Sequence, residues 1–135
     1  MQGSMAYVRG RDWPLPTLAL NLEVLAQDGE YVIWEKDGYS LKIWPCSETV
    51  NQAVTEAVRQ VTGTTPLPVG PVNSDGGSFL RRGIPASTLG TYDKTLRDRG
   101  FHLPSDNLGR VVPGRLPEAV EILAYFVKWL DRQGF

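Results

Sequence analysis

The first third of the chain alternates apolar runs with turn residues, a pattern that is typical of strands. Residues 17–25 are apolar with little polar interruption, which predicts a buried central strand with a neighbour on each side. Residues 31–35 and 39–44 are also strand-like, and they flank Lys36-Asp37-Gly38. Because Asp-Gly favours the positive φ angles of a tight turn, these segments predict an antiparallel hairpin that turns at 36–38.

Two later segments have the periodicity of helices. Residues 48–62 follow Ser47 as an N-cap, end before Gly63, and carry one apolar face made of Val50, Val54, Val58 and Val61. Residues 116–132 are apolar around more than half of the circumference of a helix. This pattern predicts a terminal helix that is covered on more than one side.

Shorter elements fill the stretch between these helices. The pattern predicts an edge strand within 64–71, a loop at 74–77, a helical turn at 78–82, a strand at 86–89 and a long loop over 91–113. Together the elements predict an α/β fold, a layered sheet with flanking helices, in one domain of residues 6–135. Residues 1–5, two methionines around a small polar linker, are interpreted as a cloning remnant and set aside from the fold.

The charge, cysteine content and apolar runs of the chain exclude several classes of partner and of metal site. The 14 basic and 15 acidic residues are scattered along the chain, so it carries no basic stripe for nucleic acid or an anionic membrane. A single cysteine, Cys46, excludes an internal disulfide framework and a cysteine-rich metal cluster, and it is interpreted as a half-buried small hydrophobe. No apolar run approaches the roughly 18 residues that span a bilayer, and no signal peptide is recognisable, so a soluble chain of unknown location is expected.

An ordered set of residues resembles the di-zinc aminopeptidase family, which includes bacterial leucyl aminopeptidases, glutamate carboxypeptidase and the non-catalytic transferrin receptor. The set comprises Ser74-Asp75, Gly83-Ile84-Pro85-Ala86, Thr88-Leu89-Gly90 and His102-Leu103-Pro104-Ser105-Asp106-Asn107. In the family, a Ser-Asp loop and a Gly-Ile-Pro-Ala strand precede a His-Thr-Pro-x-Asp-Thr signature whose histidine binds zinc. Upstream, Asn21-Leu22-Glu23-Val24 resembles the strand that ends in Asn-Leu-Asp-Met, whose aspartate is another zinc ligand.

The resemblance implies the later, carboxy-terminal half of a zinc aminopeptidase domain, with a phosphorylase/hydrolase-like fold. The implied parent activity is hydrolysis of an amino-terminal peptide bond, and the implied cofactor is zinc. Glu23 and His102 stand at the positions of zinc ligands, and Asp106, Asp75 and Ser74 stand at supporting positions. Asp75 and Asp106 are interpreted as residues that orient a ligand or cap a loop.

The chain departs from the family pattern at the residues that matter for catalysis. Most of the family's metal ligands and its general-base glutamate lie upstream of the Asn-Leu-Asp strand, and this chain has one histidine. Glu23 replaces the strand aspartate, and Leu103 replaces the threonine of the signature. We therefore assign no catalytic residue, expect a fragment or degenerate member of the family that is inactive by itself, and leave open whether it is an enzyme.

Alternatives remain for the site and for the partner. His102 is equally explained as an exposed loop histidine, and Glu23 as a strand-end carboxylate without a metal. The whole chain could be a non-catalytic interaction domain on the same scaffold, as in the transferrin receptor. A peptide substrate is expected only in an intact parent. The apolar strand and terminal helix predict a homo-oligomer or a missing amino-terminal half, with contact through a sheet edge or the face bearing Phe126 and Trp129.

Overall fold

A computed structural model describes residues 2–39, 41–92, 104 and 107–134. The described elements are α1 (Gln2–Arg9), β1 (Ala19–Glu23), β2 (Glu30–Trp34), β3 (Lys36–Tyr39), β4 (Lys42–Pro45), α2 (Glu48–Thr62), β5 (Leu67–Val69), α3 (Gly76–Leu80), β6 (Ala86–Tyr92) and α4 (Arg115–Arg132), with a 3₁₀ turn at Leu108–Arg110. The predicted α/β class, the helix over 48–62 and the edge strand within 64–71 are confirmed. None of the helices within the described residues is both long and apolar enough to cross a membrane.

A mixed sheet in the order β1-β6-β2-β5 lies at the centre. β1 runs parallel to β6, β2 runs antiparallel to β6, and β5 runs parallel to β2. The prediction of a central strand at 17–25 is wrong in one respect, because within the described residues β1 pairs only with β6 and lies at the sheet edge. It is also shorter than predicted, since Val24 has a φ of 52° and ends the extended backbone.

The two long helices cover one face of the sheet. Ser47 accepts the N-cap hydrogen bond from the Val50 amide, and Gly63 closes α2 in the left-handed conformation at φ 72°. The core under α2 and α4 contains Tyr31, Ile33, Val50, Val54, Val58, Leu89, Ile122, Phe126 and Leu130. Successive residues of a strand point to opposite faces, so Thr88 points away from this core toward α3.

A hairpin is present, but it is not the predicted one. Segments 31–35 and 39–44 do not pair with each other around a turn at 36–38, because β2 pairs with β5 and β6 whereas β4 pairs with β3. β3 includes Asp37 and Gly38, and it pairs antiparallel with β4, with Tyr39 opposite Lys42. The physical reason is the environment of Asp37, which is fully buried and accepts hydrogen bonds from Ser74. Gly38 is needed there for close packing, because a Cβ would lie 2.7 Å from the Cα of Ile43.

The terminal helix is covered on one face, so the prediction of cover on more than one side is wrong. Its buried residues are Ala119, Ile122, Phe126 and Leu130. Leu116, Val120 and Val127 are 51%, 64% and 61% exposed. α2 packs beside the flank of Tyr125 and Trp129, whereas none of the described elements covers the opposite flank.

Residues 2–5, which the sequence analysis sets aside from the fold, lie in α1. Within α1, Val8 is 1% exposed and Ser4 donates a hydrogen bond of 2.7 Å to Asp75. Trp13, which follows α1, contacts the rings of Tyr7 and Phe79 edge to face. The origin of residues 1–5 as a cloning remnant stays a prediction.

The remaining segments agree closely with their predictions. α3 begins two residues before the predicted turn at 78–82, and β6 extends three residues beyond the predicted strand at 86–89. The predicted long loop over 91–113 includes the end of β6 and the 3₁₀ turn at Leu108–Arg110. Residues 93–103 and 105–106, which include His102 and Asp106, lie outside the described residues.

The cap of α2 gives a direct test of this local structure. We expect Gly63→Ala to lower the free energy of unfolding by about 1 kcal/mol, because an L residue is strained at a φ of 72°. The matched control is Gly114→Ala, since Gly114 has a φ of −67° and open space where its Cβ would lie. Urea unfolding followed by circular dichroism measures both. Equal effects of the two substitutions would contradict the capping role.

Candidate functional site

Glu23 lies at the carboxyl end of β1, where α/β proteins commonly place their ligands. The strand register puts it opposite Gly90 of β6. Its carboxylate accepts a hydrogen bond of 3.2 Å from the side-chain amide of Asn21. The next residue, Val24, turns the chain, and its carbonyl accepts a hydrogen bond from the Thr91 hydroxyl. Glu23 is therefore a half-buried carboxylate held at the end of a strand.

A cavity of about 410 Å³ opens beside Glu23. Apolar side chains form much of its wall, among them Val24, Val32, Trp34, Val69, Val72 and Tyr92. Glu23, Gln27, Asn73 and Ser74 supply polar groups. A mostly apolar cavity with a few polar groups at its margin is the ordinary form of a small-molecule site.

Ser74 belongs to a buried polar cluster. Its amide donates a hydrogen bond of 2.9 Å to Oδ1 of Asp37, and its hydroxyl donates to Oδ2 of the same carboxylate. The Thr88 hydroxyl lies 2.8 Å from the Ser74 hydroxyl. The hydrogen-bond partners of Ser74 are therefore Asp37 and Thr88, and its supporting role toward a metal ligand stays a prediction. Sequence reasoning missed Asp37, because Asp-Gly is the usual signature of a turn.

Asp75 has different partners from its neighbour. Its carboxylate accepts from the Ser4 hydroxyl, and this hydrogen bond holds the pKa of Asp75 below its ordinary value. In the Ser-Asp motif, Ser74 therefore contacts the buried cluster, whereas Asp75 contacts α1. The structure does not bring Asp75 into contact with Glu23 through any hydrogen bond among the described residues.

Cys46 lies beside the buried cluster and is half-buried. Burial, and then the negative charge of Asp37, raises the pKa of the Cys46 thiol to about 11. At neutral pH such a thiol is protonated and a poor nucleophile. This agrees with its interpretation as a half-buried small hydrophobe.

Of the two sequence-predicted zinc ligands, Glu23 and His102, the described residues include Glu23 alone. Within 2–39, 41–92, 104 and 107–134, no group of three or more His, Cys, Asp or Glu could hold a metal ion. A catalytic zinc takes three protein ligands, so a complete zinc centre does not fit this part of the chain. Glu23 is available as one ligand. His102 and Asp106 lie outside the described residues, and their pairing with Glu23 stays a prediction.

Comparison with known proteins identifies the family to which this chain belongs. The sequence profile of Peptidase family M28 matches residues 1–127. The structure is similar to that of an aminopeptidase from Aneurinibacillus sp. strain AM-1, with a TM-score of 0.72 and 21% identity over 93% of this chain and 29% of that chain. At this identity the likeness shows the fold alone, and the chain spans less than a third of the length of that aminopeptidase. A search of curated proteins found no significant match.

The two findings agree with the resemblance seen in the Ser-Asp, Gly-Ile-Pro-Ala and Asn-Leu-Glu motifs. They also agree with the layered α/β architecture of the described residues. Because the family profile extends over nearly the whole chain, this protein belongs to peptidase family M28.

Proposed function

We propose that this chain forms the later half of a zinc-dependent aminopeptidase domain, whose complete form hydrolyses amino-terminal peptide bonds. The observation that carries the proposal is the position of Glu23, a strand-end carboxylate beside an apolar cavity of about 410 Å³. Glu23 would supply one zinc ligand, and His102 a second. Zinc, when bound, lowers the pKa of a water and polarises a carbonyl group.

The cavity suits the side chain of an amino-terminal residue. Val24, Val32 and Trp34 line it with apolar surface, which favours an aliphatic or aromatic side chain. Glu23 and Gln27 give it a polar margin on the side of the strand end. A peptide bound with its first side chain in the cavity would therefore present its amino-terminal end near the Glu23 carboxylate.

Zinc binding tests the role of Glu23. We expect the isolated chain to bind Zn²⁺ weakly, because two ligands leave a water-rich site, and to lose this binding in Glu23→Gln and in His102→Ala. The matched control is Glu35→Gln, which changes an exposed carboxylate at the end of β2. Isothermal titration calorimetry measures each affinity. Stoichiometric zinc that survives dialysis against a chelator, or binding that is unchanged in Glu23→Gln, would contradict the proposal.

Activity gives a second test. We expect the isolated chain to show no turnover of amino-acid anilides with added zinc, because it offers two candidate ligands and we assign it no general base. The measurement is anilide release over a range of substrate concentrations. Turnover that saturates with substrate and disappears in His102→Ala would show that the chain carries a working centre.

A non-catalytic interaction domain is the second candidate function, and an uncovered apolar surface favours it. This β1–α4 surface consists of the unpaired edge of β1, with Leu22, and the flank of α4 that bears Leu116, Val120 and Val127. No described strand pairs with this edge of β1, and α2 packs against the opposite flank of α4. Leu22 is 41% exposed. Glu23 and Leu103, which stand where the family has an aspartate and a threonine, also favour a non-catalytic function.

For the β1–α4 surface we propose one occupant, the remaining part of a longer peptidase domain. A strand of that part would pair with β1, and an apolar helix would cover α4. The chain matches 29% of the similar aminopeptidase, so a larger fold can be built around this unit. The face of Phe126 and Trp129 was predicted as an alternative contact. We prefer the β1–α4 surface, because Phe126 is buried and Trp129 packs against the core.

Self-association tests this proposal. With its usual cover absent, the isolated chain is expected to form a dimer or larger oligomer at micromolar concentration, because an unpaired edge and an apolar patch favour association. Val120→Lys with Val127→Lys should restore a 15.0 kDa monomer. Glu121→Lys, an exposed position on another flank of α4, is the control. Size exclusion with light scattering gives the masses. A wild-type monomer with a cooperative melt would contradict the expectation and weaken the half-domain proposal.

A further inference from the structure

Three Asp-Gly pairs occur in the chain, and they lie in different surroundings. They are Asp28-Gly29 in the loop before β2, Asp37-Gly38 in β3, and Asp75-Gly76 at the start of α3. Glycine has no side chain beside its amide nitrogen, so the carboxyl group of a preceding aspartate approaches that nitrogen without steric hindrance. Whether it does so in the folded chain depends on what else holds the carboxyl group and the amide.

At Asp28-Gly29 the two groups contact each other. The Gly29 amide donates a hydrogen bond of 2.8 Å to Oδ1 of Asp28. The guanidinium group of Arg115 lies 3.9 Å from the same oxygen and also donates to the Gly29 carbonyl, so it holds the loop on both sides of the Gly29 amide. The Asp28 side chain is 81% exposed, so water reaches its carboxyl group. These contacts keep a nucleophilic nitrogen beside an accessible carboxyl group.

The glycine amides of the other two pairs are bound by different acceptors. Gly38 donates to the Val72 carbonyl at 3.2 Å, and Gly76 donates to the Ser74 hydroxyl at 3.1 Å. Neither amide therefore points at the carboxylate of the aspartate that precedes it.

The carboxylates of these two pairs also have partners elsewhere. Asp37 is 0% exposed and accepts from the Ser74 amide, and Asp75 accepts from the Ser4 hydroxyl. The peptide at Gly76 has little room to rotate, since a Cβ there would lie 3.0 Å from Oδ2 of Asp37. The local structure must open before either pair reacts.

We propose that Asp28 is a site of spontaneous modification, at which the folded chain converts aspartate to isoaspartate faster than at the other two pairs. The Gly29 nitrogen attacks Cγ of the protonated Asp28 carboxyl group, and the amide proton leaves with the carboxyl hydroxyl as water. The product is a five-membered succinimide. Water then adds to one of the two ring carbonyls and breaks its bond to the nitrogen. Attack at Cγ restores aspartate, whereas attack at the main-chain carbonyl gives isoaspartate, with no net change of mass.

Isoaspartate lengthens the main chain by one methylene group directly before β2. Arg115 donates both to the Gly29 carbonyl in this segment and to Glu118. Glu118 also accepts a hydrogen bond of 2.9 Å from the Tyr31 hydroxyl. The modification therefore acts on the junction between β2 and the first turn of α4. The reaction requires neither zinc nor a covering part of a larger domain.

Peptide mapping of the incubated chain tests the proposal. Cleavage after glutamate gives fragments 24–30 and 36–48, which contain Asp28 and Asp37, and trypsin gives fragment 60–81, which contains Asp75. The folded chain is kept at neutral pH below its melting temperature and sampled over time. Mass spectrometry with electron-transfer fragmentation distinguishes isoaspartate from aspartate in each fragment. We expect isoaspartate to form at Asp28 about 10-fold or more faster than at Asp37 or Asp75.

Unfolding in urea supplies the first control. It removes the structural differences among the three pairs, so we expect them to convert at similar rates. Asp28→Glu should abolish conversion at this position, because glutamate would have to close a less favourable six-membered ring. The matched control is Asp75→Glu, which changes an exposed aspartate that also precedes glycine and should leave the rate at Asp28 unchanged.

The outcomes decide the proposal without any metal. Conversion at Asp28 that is no faster than at Asp37 or Asp75 in the folded chain would overturn it. An absence of isoaspartate at Asp28, over a period in which the unfolded chain converts, would overturn it as well. A preference for Asp28 that persists in urea would show that the sequence, and not the folded structure, sets the rates. A preference that is present in the folded chain and lost in urea would support it.

Discussion

The candidate site depends on the parallel pairing of β1 with β6. This pairing joins segments 67 residues apart and places Asn21 opposite Thr88 and Glu23 opposite Gly90. The same register sends Leu89 into the core under α2 and α4 and directs Thr88 to the opposite face. A shift by one residue would exchange the two faces, so the apolar core and the polar cluster require the same alignment.

Gly90 shows how closely this alignment is packed. A Cβ at this position would lie 2.9 Å from the Trp34 ring and 3.0 Å from the Glu23 carbonyl. The absent side chain lets Trp34 lie against the strand end, where it also forms part of the cavity wall. One packed region therefore includes the end of β1, the wall of the cavity and the buried cluster around Asp37.

The fold has a closed apolar core and, within the described residues, one uncovered apolar side. The polar cluster directs its donors to acceptors, and the core between sheet and helices is closed. The β1–α4 surface, in contrast, leaves apolar residues and, within the described residues, an unpaired strand edge in contact with solvent. The uncovered surface is the feature on which the proposed covering by a larger domain rests. Among the described residues, no group of three or more His, Cys, Asp or Glu could hold a metal ion.

The sequence by itself determined the local elements and the family. Helix α2 was predicted to the residue, because its N-cap, its valine periodicity and its closing glycine all act within about four turns. The Asn-Leu-Glu and Ser-Asp motifs were recognisable for the same reason, since each is a short contiguous pattern.

Only the tertiary structure decided how these elements are used. Asp37-Gly38 is a favourable turn by its local preference, yet it lies in a strand because Ser74 binds the Asp37 carboxylate and Ile43 packs against Gly38. The composition of β1 suits a strand with two neighbours, but the described chain supplies one. The hydrogen-bonded cluster of Asp37, Ser74 and Thr88 is invisible in the sequence, because its members come from three separate segments. Local patterns act through neighbours along the chain, whereas sheet order, burial and hydrogen-bond partners depend on which distant segments meet.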